Sequence, residues 1–342
     1  MQRTYVARRE VASTSPGSRA FSMKSSDRVV LVFNDIRDDD HIWIKDAVTE
    51  LGYRCIALDQ ARPFDGDIYI DIDNGRTHIE LKGEFKSVKP SSVVGVWHRW
   101  YLPSHASAPG TRDAFIQAEW KYFWKFIAQS IVHPLWMNSV HAIEKSADRL
   151  GQLEVARSVG LRIPRTAVAI EPSDIASFIE RVGGNGVCKV LGSGRPQESP
   201  GKKLMAKSLT ASQLEGHERY EAPALVQEML EIDLEIRCTV VGDQVFCAAI
   251  DPIDGHLDIK HAILAGNRYK RIVVPQQTVE KLVQMVRMLD LRYAAIDLGL
   301  TKEGELIFLE LNPSGMYQNI EVDTAFPITE AIAQELTQRK CG

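Results

Sequence analysis

Apolar residues along this chain recur with two periods, near two and near 3.6, and the switches between them mark out its elements. Residues 28–35, RVVLVFND, form an apolar run of the buried-strand kind, and 39–51 place Ile42, Ile44, Ala47, Val48 and Leu51 at helical spacing before Gly52. With a strand at 54–58 this makes a β-α-β opening, continued by strand-like runs at 67–72, 78–81 and 93–97. An aromatic-rich helix fills 113–132 and is broken by His133-Pro134. Helix resumes after Met137-Asn138-Ser139, and 146–160 reads as a helix capped by Ser146 and closed by Gly160.

A connector at 161–166 leads to a strand at 167–170, a helix that stops at Gly183-Gly184, and a strand at 186–191 that carries Lys189. The loop 192–203 opens with Gly192-Ser193-Gly194. Small residues there would let backbone N–H groups approach an anion, although the same composition suits an ordinary flexible loop. A strand at 222–230 precedes a hairpin at 231–250 turning at Gly242-Asp243, with Glu235 and Arg237 on one face. An exposed ion pair of little energetic weight is one reading of those two. A polar loop at 251–272 holds Asp258-Ile259-Lys260 and the basic Arg268, Lys270 and Arg271, and helices 277–290 and 327–338 flank the final hairpin.

That hairpin, 292–315, is the chemical centre of the sequence. A turn at Lys302-Glu303-Gly304-Glu305 sets a register that places Asp297 opposite Glu310, with Asn312 on the same face. The other face presents Ala294, Ile296 and Leu298 against Ile307, Leu309 and Leu311. Two carboxylates directly opposite each other repel unless something neutralises them, and a divalent cation would do so. Hard oxygen donors favour Mg²⁺ or Mn²⁺ and leave room for water and nucleotide phosphate oxygens. A solvated polar face followed by an ordinary Asn-Pro-Ser-Gly turn is the alternative. The segment Val96-Trp97-His98-Arg99-Trp100 is equally open, either an anion site or aromatic packing around a cation.

Composition narrows the class. The 342 residues are 44% hydrophobic and 25% charged, as in globular proteins of two or three domains. A net charge of −4 argues against a nucleic-acid or anionic-membrane surface, and no window is apolar enough to span a bilayer. Cys55, Cys188, Cys238, Cys247 and Cys341 lack metal-type spacing and read as small hydrophobes in a reducing cytoplasm. Residues 1–27 read as a disordered tail; Arg3, Arg8, Arg9 and Arg19 with only Glu10 also suit a transit peptide, or a start placed too early with Met23 as the working start.

Several features, in order, resemble the ATP-grasp fold: the 138–166 stretch ending Gly160-Leu161-Arg162-Ile163-Pro164-Arg165-Thr166, Lys189 before a glycine loop, Val226-Gln227-Glu228, Glu235-Ile236-Arg237, and Asp297 with Glu310-Leu311-Asn312-Pro313-Ser314-Gly315. More narrowly the chain is similar to graspetide (microviridin-type) maturases, ATP-grasp ligases that install lactone or lactam crosslinks in ribosomally made peptides. The resemblance spans about 28–340 and implies an α/β (α+β) architecture. It has a pre-ATP-grasp α/β domain at 28–136, a linking helix and central lid at 137–226, and a C-terminal ATP-grasp domain at 227–342.

The resemblance implies ATP with two Mg²⁺ ions, or Mn²⁺, as cofactors. Lys189 and Arg149 would lie along the phosphates, Gln227, Glu228 and Met229 at the adenine edge, and Glu235 near the ribose or active centre. Asp297, Glu310 and Asn312 would hold the metal, and Arg237 would face an acyl phosphate. The 192–203 and 251–272 loops would serve as lids over that intermediate. Its partner would be a precursor peptide with leader and acidic or hydroxyl-bearing core, with a homodimer as one assembly open to it. Ligation of free amino acids or other small molecules, and nucleotide binding without catalysis, are the competing functions. The chain departs from the pattern at Asp148-Arg149-Leu150, where Lys is common, at Asp258-Ile259-Lys260 in place of Asp-Trp-Arg, and at Glu231, where a basic residue is common.

Overall fold

The computed structural model describes residues 28–34, 39–59, 68–72, 77–81, 92–99, 110–130, 134–191, 206–252, 263 and 265–338. The tail, the 192–203 loop, Asp258-Ile259-Lys260, Trp100, His133 and Cys341 lie outside them. Three sheets carry the architecture. The first contains β1 (Val29–Asn34), β2 (Arg54–Asp59), β5 (Val93–His98) and β6 (Leu135–Met137), all parallel in the order β2-β1-β5-β6. Helices α1 (Asp40–Glu50) and α2 (Arg112–Ser130) belong to it in sequence. β3 (Ile68–Ile72) and β4 (Thr77–Leu81) do not extend this sheet but pair with each other. Tyr69, Asp71 and Ile72 are exposed, which a strand covered on both faces of a parallel sheet would not tolerate.

Two short helices link this sheet to the rest, α3 (Val140–Ser146) and α4 (Arg149–Ser158). Gly160 closes the second at φ +80°, as expected, but its cap is Asp148, whose carboxylate accepts from Leu150 N at 3.1 Å. Ser146 instead ends α3, and its buried hydroxyl donates to Ile143 O. The second sheet runs β7 (Thr166–Ala169), β10 (Ala224–Glu228), β8 (Asn185–Lys189), β9 (Lys207–Thr210), antiparallel throughout, so β10 straddles positions 226 and 227. Helix α5 (Pro172–Arg181) covers it through Ile175, Phe178 and Ile179.

The third sheet is antiparallel, in the order β13 (Lys270–Arg271), β12 (Gln244–Ile250), β11 (Ile232–Val241), β14 (Tyr293–Thr301), β15 (Leu306–Asn312). On one face Cys238, Ile296, Leu298, Phe308 and Leu311 pack beneath α4 and α6 (Gln276–Met288). There the thiols of Cys238 and Cys247 lie 2.7 Å apart and unbridged. On the opposite face one end carries Phe246, Ile250 and Tyr293 against Tyr317 and α8 (Ile328–Thr337), which follows α7 (Gln318–Thr324). Helix α8 thus sits between the third sheet and the first, closing both cores. A Cβ on Gly95 of β5 would stand 2.2 Å from Leu336 O, so this close approach requires glycine. The other end of that face is polar. No helix among the described residues is long and apolar enough to cross a membrane.

Candidate active site

The turn at 302–305 forms with Gly304 at φ +84°, and Asp297 pairs opposite Glu310 as expected, although the register beside the turn, with Leu300 facing Leu306 and Gly299 facing Ile307, would by itself bring Leu309 to that position. Beyond that pair the register shifts, Leu298 facing Phe308, so Leu309 is the extra residue of a bulge. The expected apolar row is corrected accordingly: Phe308 joins Leu311, Ile296 and Leu298 in that cluster, while Ile307 is fully buried outside it and Leu309 is half-buried. The carboxylates are neutralised by side chains of the protein itself. Arg237, opposite Asp297 on β11, grips it through Nε and through Nη2 at 3.0 Å. Arg149 clasps Glu310 through both Nη atoms, at 3.3 and 3.1 Å. Each of the two facing acids is thus held by a guanidinium, and Arg237 pairs across strands with Asp297. Burial pulls the Arg237 pKa down, but Asp297 and then Tyr269 hold its proton, and the net shift is upward.

Lys189, at the end of β8, turns toward this face and feels the charges of Glu310, Arg149, Asp297 and Glu235. Burial first and Arg149 with it draw its ammonium pKa down against the upward pull of Glu310, Asp297 and Glu235, and the net shift is downward. Three carboxylates and three cations (Glu235, Asp297, Glu310; Arg149, Lys189, Arg237) therefore surround one space between the second and third sheets, and their formal charges cancel. Gln227 and Glu228 spend their side chains inside the second sheet: Gln227 Nε2 donates to Thr166 Oγ1 at 3.1 Å, and Glu228 accepts from Arg165 N at 2.9 Å. Met229 N donates to Asn185 O at 3.3 Å. All three mark the sheet end beside the connector.

Asn312 ends β15 on the Glu310 face, exposed, with Oδ1 accepting from Ser314 N at 3.0 Å. The next three carbonyls are each held by a different donor. Pro313 O accepts from Asn138 Nδ2 at 2.9 Å, Ser314 O from Arg99 Nη2 at 3.1 Å, and Gly315 O from the Tyr293 hydroxyl at 2.6 Å. Asn138 also donates to Tyr293 O and accepts from the N–H groups of Arg292 and Tyr293. Arg99 is thus a packing cation: buried, ion-paired with Asp40 and 5.8 Å from the Trp97 ring centroid. Sequence reading missed Asn138 and Tyr269. The first hid as a residue before the Ser139 cap; the second lies in a polar loop, its phenol raised to about 12 by burial near Arg237.

Two carboxylates and an amide oxygen on one exposed-to-half-buried face are hard donors of the type that fits Mg²⁺. Among the described residues no three His, Cys, Asp or Glu side chains cluster as a metal site on their own, so phosphate or water oxygens would complete the shell.

Residues 146–336 match the model of the RimK-like ATP-grasp domain. The chain belongs to that family. A probable alpha-L-glutamate ligase from Picosynechococcus sp. is 28% identical over 202 residues, 58% of this chain and 66% of that protein. The ATP-grasp chain therefore spans just under two thirds of the length of such curated relatives. The macrocyclase MdnC from Microcystis aeruginosa, solved with precursor peptide MdnA, is 25% identical at TM-score 0.75, covering 90% of this chain and 99% of its own. The ATP-grasp ligase PsnB, solved with minimal precursor, Mg and ADP, shares the fold at TM-score 0.70 and 19% identity, over 93% of this chain and 98% of its own.

Proposed function

We propose that this chain is an ATP-dependent ligase that crosslinks side chains within a ribosomally made precursor peptide, forming esters or amides. The observation that carries the reading is the likeness to a peptide macrocyclase over 90% of the chain, first sheet included, with Lys189 facing the acidic hairpin. A carboxylate resists attack because oxide is a poor leaving group. Its oxygen would attack the γ-phosphorus of ATP, releasing ADP and leaving an acyl phosphate. A Ser or Thr hydroxyl, or a Lys amine, would then attack the acyl carbon, lose its proton and expel phosphate.

Lys189 and Arg149 would hold the phosphates, and Arg237 would orient the acyl phosphate with its planar fork. Asp297, Glu310 and Asn312 would hold Mg²⁺, which when bound offsets phosphate charge. Glu235, two residues from Arg237 on the same face, would border the ribose or the reacting groups.

Ligation of a free amino acid is the second reading, favoured by the relatives named alpha-L-glutamate ligases. Mass spectrometry separates the two. The peptide from a short reading frame beside the gene, rich in Thr and Glu or Asp near its C-terminal end, is incubated with the protein, ATP and Mg²⁺. A product lighter by one water per crosslink supports the proposal. ADP release driven by glutamate alone, with the peptide mass unchanged, would transfer the assignment to the second reading.

A further inference from the structure

We propose that Gln152 is a positioning residue that fixes Glu310, an inference that rests on the nucleotide-site reading above. β15 is the outer strand of its sheet, so alternate N–H and C=O groups point away from β14 and need partners elsewhere. At Leu311 both come from one side chain. Gln152 Nε2 donates to Leu311 O at 2.9 Å, and its Oε1 accepts from Leu311 N at 2.9 Å. The same Nε2 donates to Ser146 O at 2.7 Å, satisfying a carbonyl at the end of α3. Gln152 is 4% exposed, so each of these bonds is shielded from water.

Leu311 lies between Glu310 and Asn312, and Arg149 stands three residues before Gln152 on the same helix. Helix α4 therefore holds β15 twice, by its backbone through Gln152 and by the Glu310 carboxylate through Arg149. On the other side of the bulge, Phe308 N donates to Arg162 O at 2.8 Å. The extra residue Leu309 is thus pinned between two edge partners. A one-residue slip would turn Glu310 to the opposite face, away from Asp297 and Lys189. Gln152 holds the register on which the constellation depends.

The test is calorimetric titration of the full chain with ADP, with and without Mg²⁺. Gln152→Leu, of similar size, leaves both Leu311 groups unpaired, and the affinity for ADP with Mg²⁺ should fall roughly tenfold or more. Gln152→Glu keeps the acceptor; only its protonated form keeps a donor, so its deficit should narrow from about pH 8 to about pH 6. Val48→Ala, a core truncation in α1 away from the hairpin, serves as the stability control and should bind as wild type. If Gln152→Leu does not fold, the pH dependence of Gln152→Glu decides. Wild-type binding by both Gln152 variants, or an equal loss in Val48→Ala, overturns the proposal. Glu310→Gln run in parallel separates the levels: if it too binds as wild type, the site reading itself fails; if it alone is weakened, only the positioning role does.

Discussion

Replacing Arg237 with Met tests the electrostatics of the site most quantitatively. The side chains of Arg237 and Asp297 are 16% and 25% exposed, so removing the cation leaves a mostly desolvated carboxylate facing Glu310 across the hairpin. Breaking a fully buried pair costs about 3–5 kcal/mol, and residual solvent on the acid brings this to about 2–3 kcal/mol. At about 2–4 °C per kcal/mol, melting of the unit containing the third sheet should fall by about 4–12 °C. Adding Asp297→Asn removes the orphaned charge, so the double variant should regain much of that loss, a coupling of about 1–3 kcal/mol. Mg²⁺ should raise the melting temperature of Arg237→Met more than that of the wild type, because Asp297 no longer has a competing partner. Thermal melts followed by circular dichroism, with and without Mg²⁺, read all three effects. A single variant that melts like wild type, or a strictly additive double variant, would refute the reasoning.

Other consequences are equally direct. Because burial lowers the Lys189 pKa, binding of ADP with Mg²⁺ should weaken at alkaline pH before the ordinary lysine value of 10.5 is reached. Lys189→Arg should abolish that alkaline limb, as calorimetry across pH would reveal. A Cβ on Gly315 would stand 2.4 Å from Ala295 Cβ, so Gly315→Ala should displace the loop beside Asn312 and weaken nucleotide binding, with Ala295→Gly restoring it in the double variant. His98, half-buried with a shielded Nδ1 that lacks a hydrogen-bond partner, has its pKa lowered from 6.5 to about 4 by desolvation. The neutral form is favoured on folding, so stability is full above about pH 6.5 and is lost as pH falls toward about 4, by up to roughly 3 kcal/mol. In His98→Gln the urea-unfolding free energy should vary less across that window.

The hairpin was legible because Lys302 to Glu305 carry turn chemistry, but the register beside that turn would set Leu309 opposite Asp297, and Glu310 reaches its place only through the bulge. The bulge at Leu309 was not, because nothing local separates an extra Leu from a paired one, and the edge partners that flank it, Arg162 and Gln152, are far away in sequence. The same distance concealed the partners of the acids. That Arg149 would reach Glu310 depends on where α4 docks, and that Arg237 would meet Asp297 depends on the β11–β14 register. Local capping rules did not separate Ser146 from Asp148 either, since both are good caps two residues apart. The ATP-grasp fold was read from periodicity and family motifs together, whereas the separation of β3 and β4 from the parallel sheet is a matter of tertiary burial.

The central claim, an acidic hairpin that holds metal-bound nucleotide opposite Lys189, is tested most directly by crystals grown with Mn²⁺ and ADP. An anomalous difference map should place manganese within bonding distance of oxygens from Asp297, Glu310 and Asn312, with the diphosphate against Lys189 and Arg149. Manganese or ADP ordered elsewhere, with Arg237 and Arg149 still closed on their carboxylates, would contradict it.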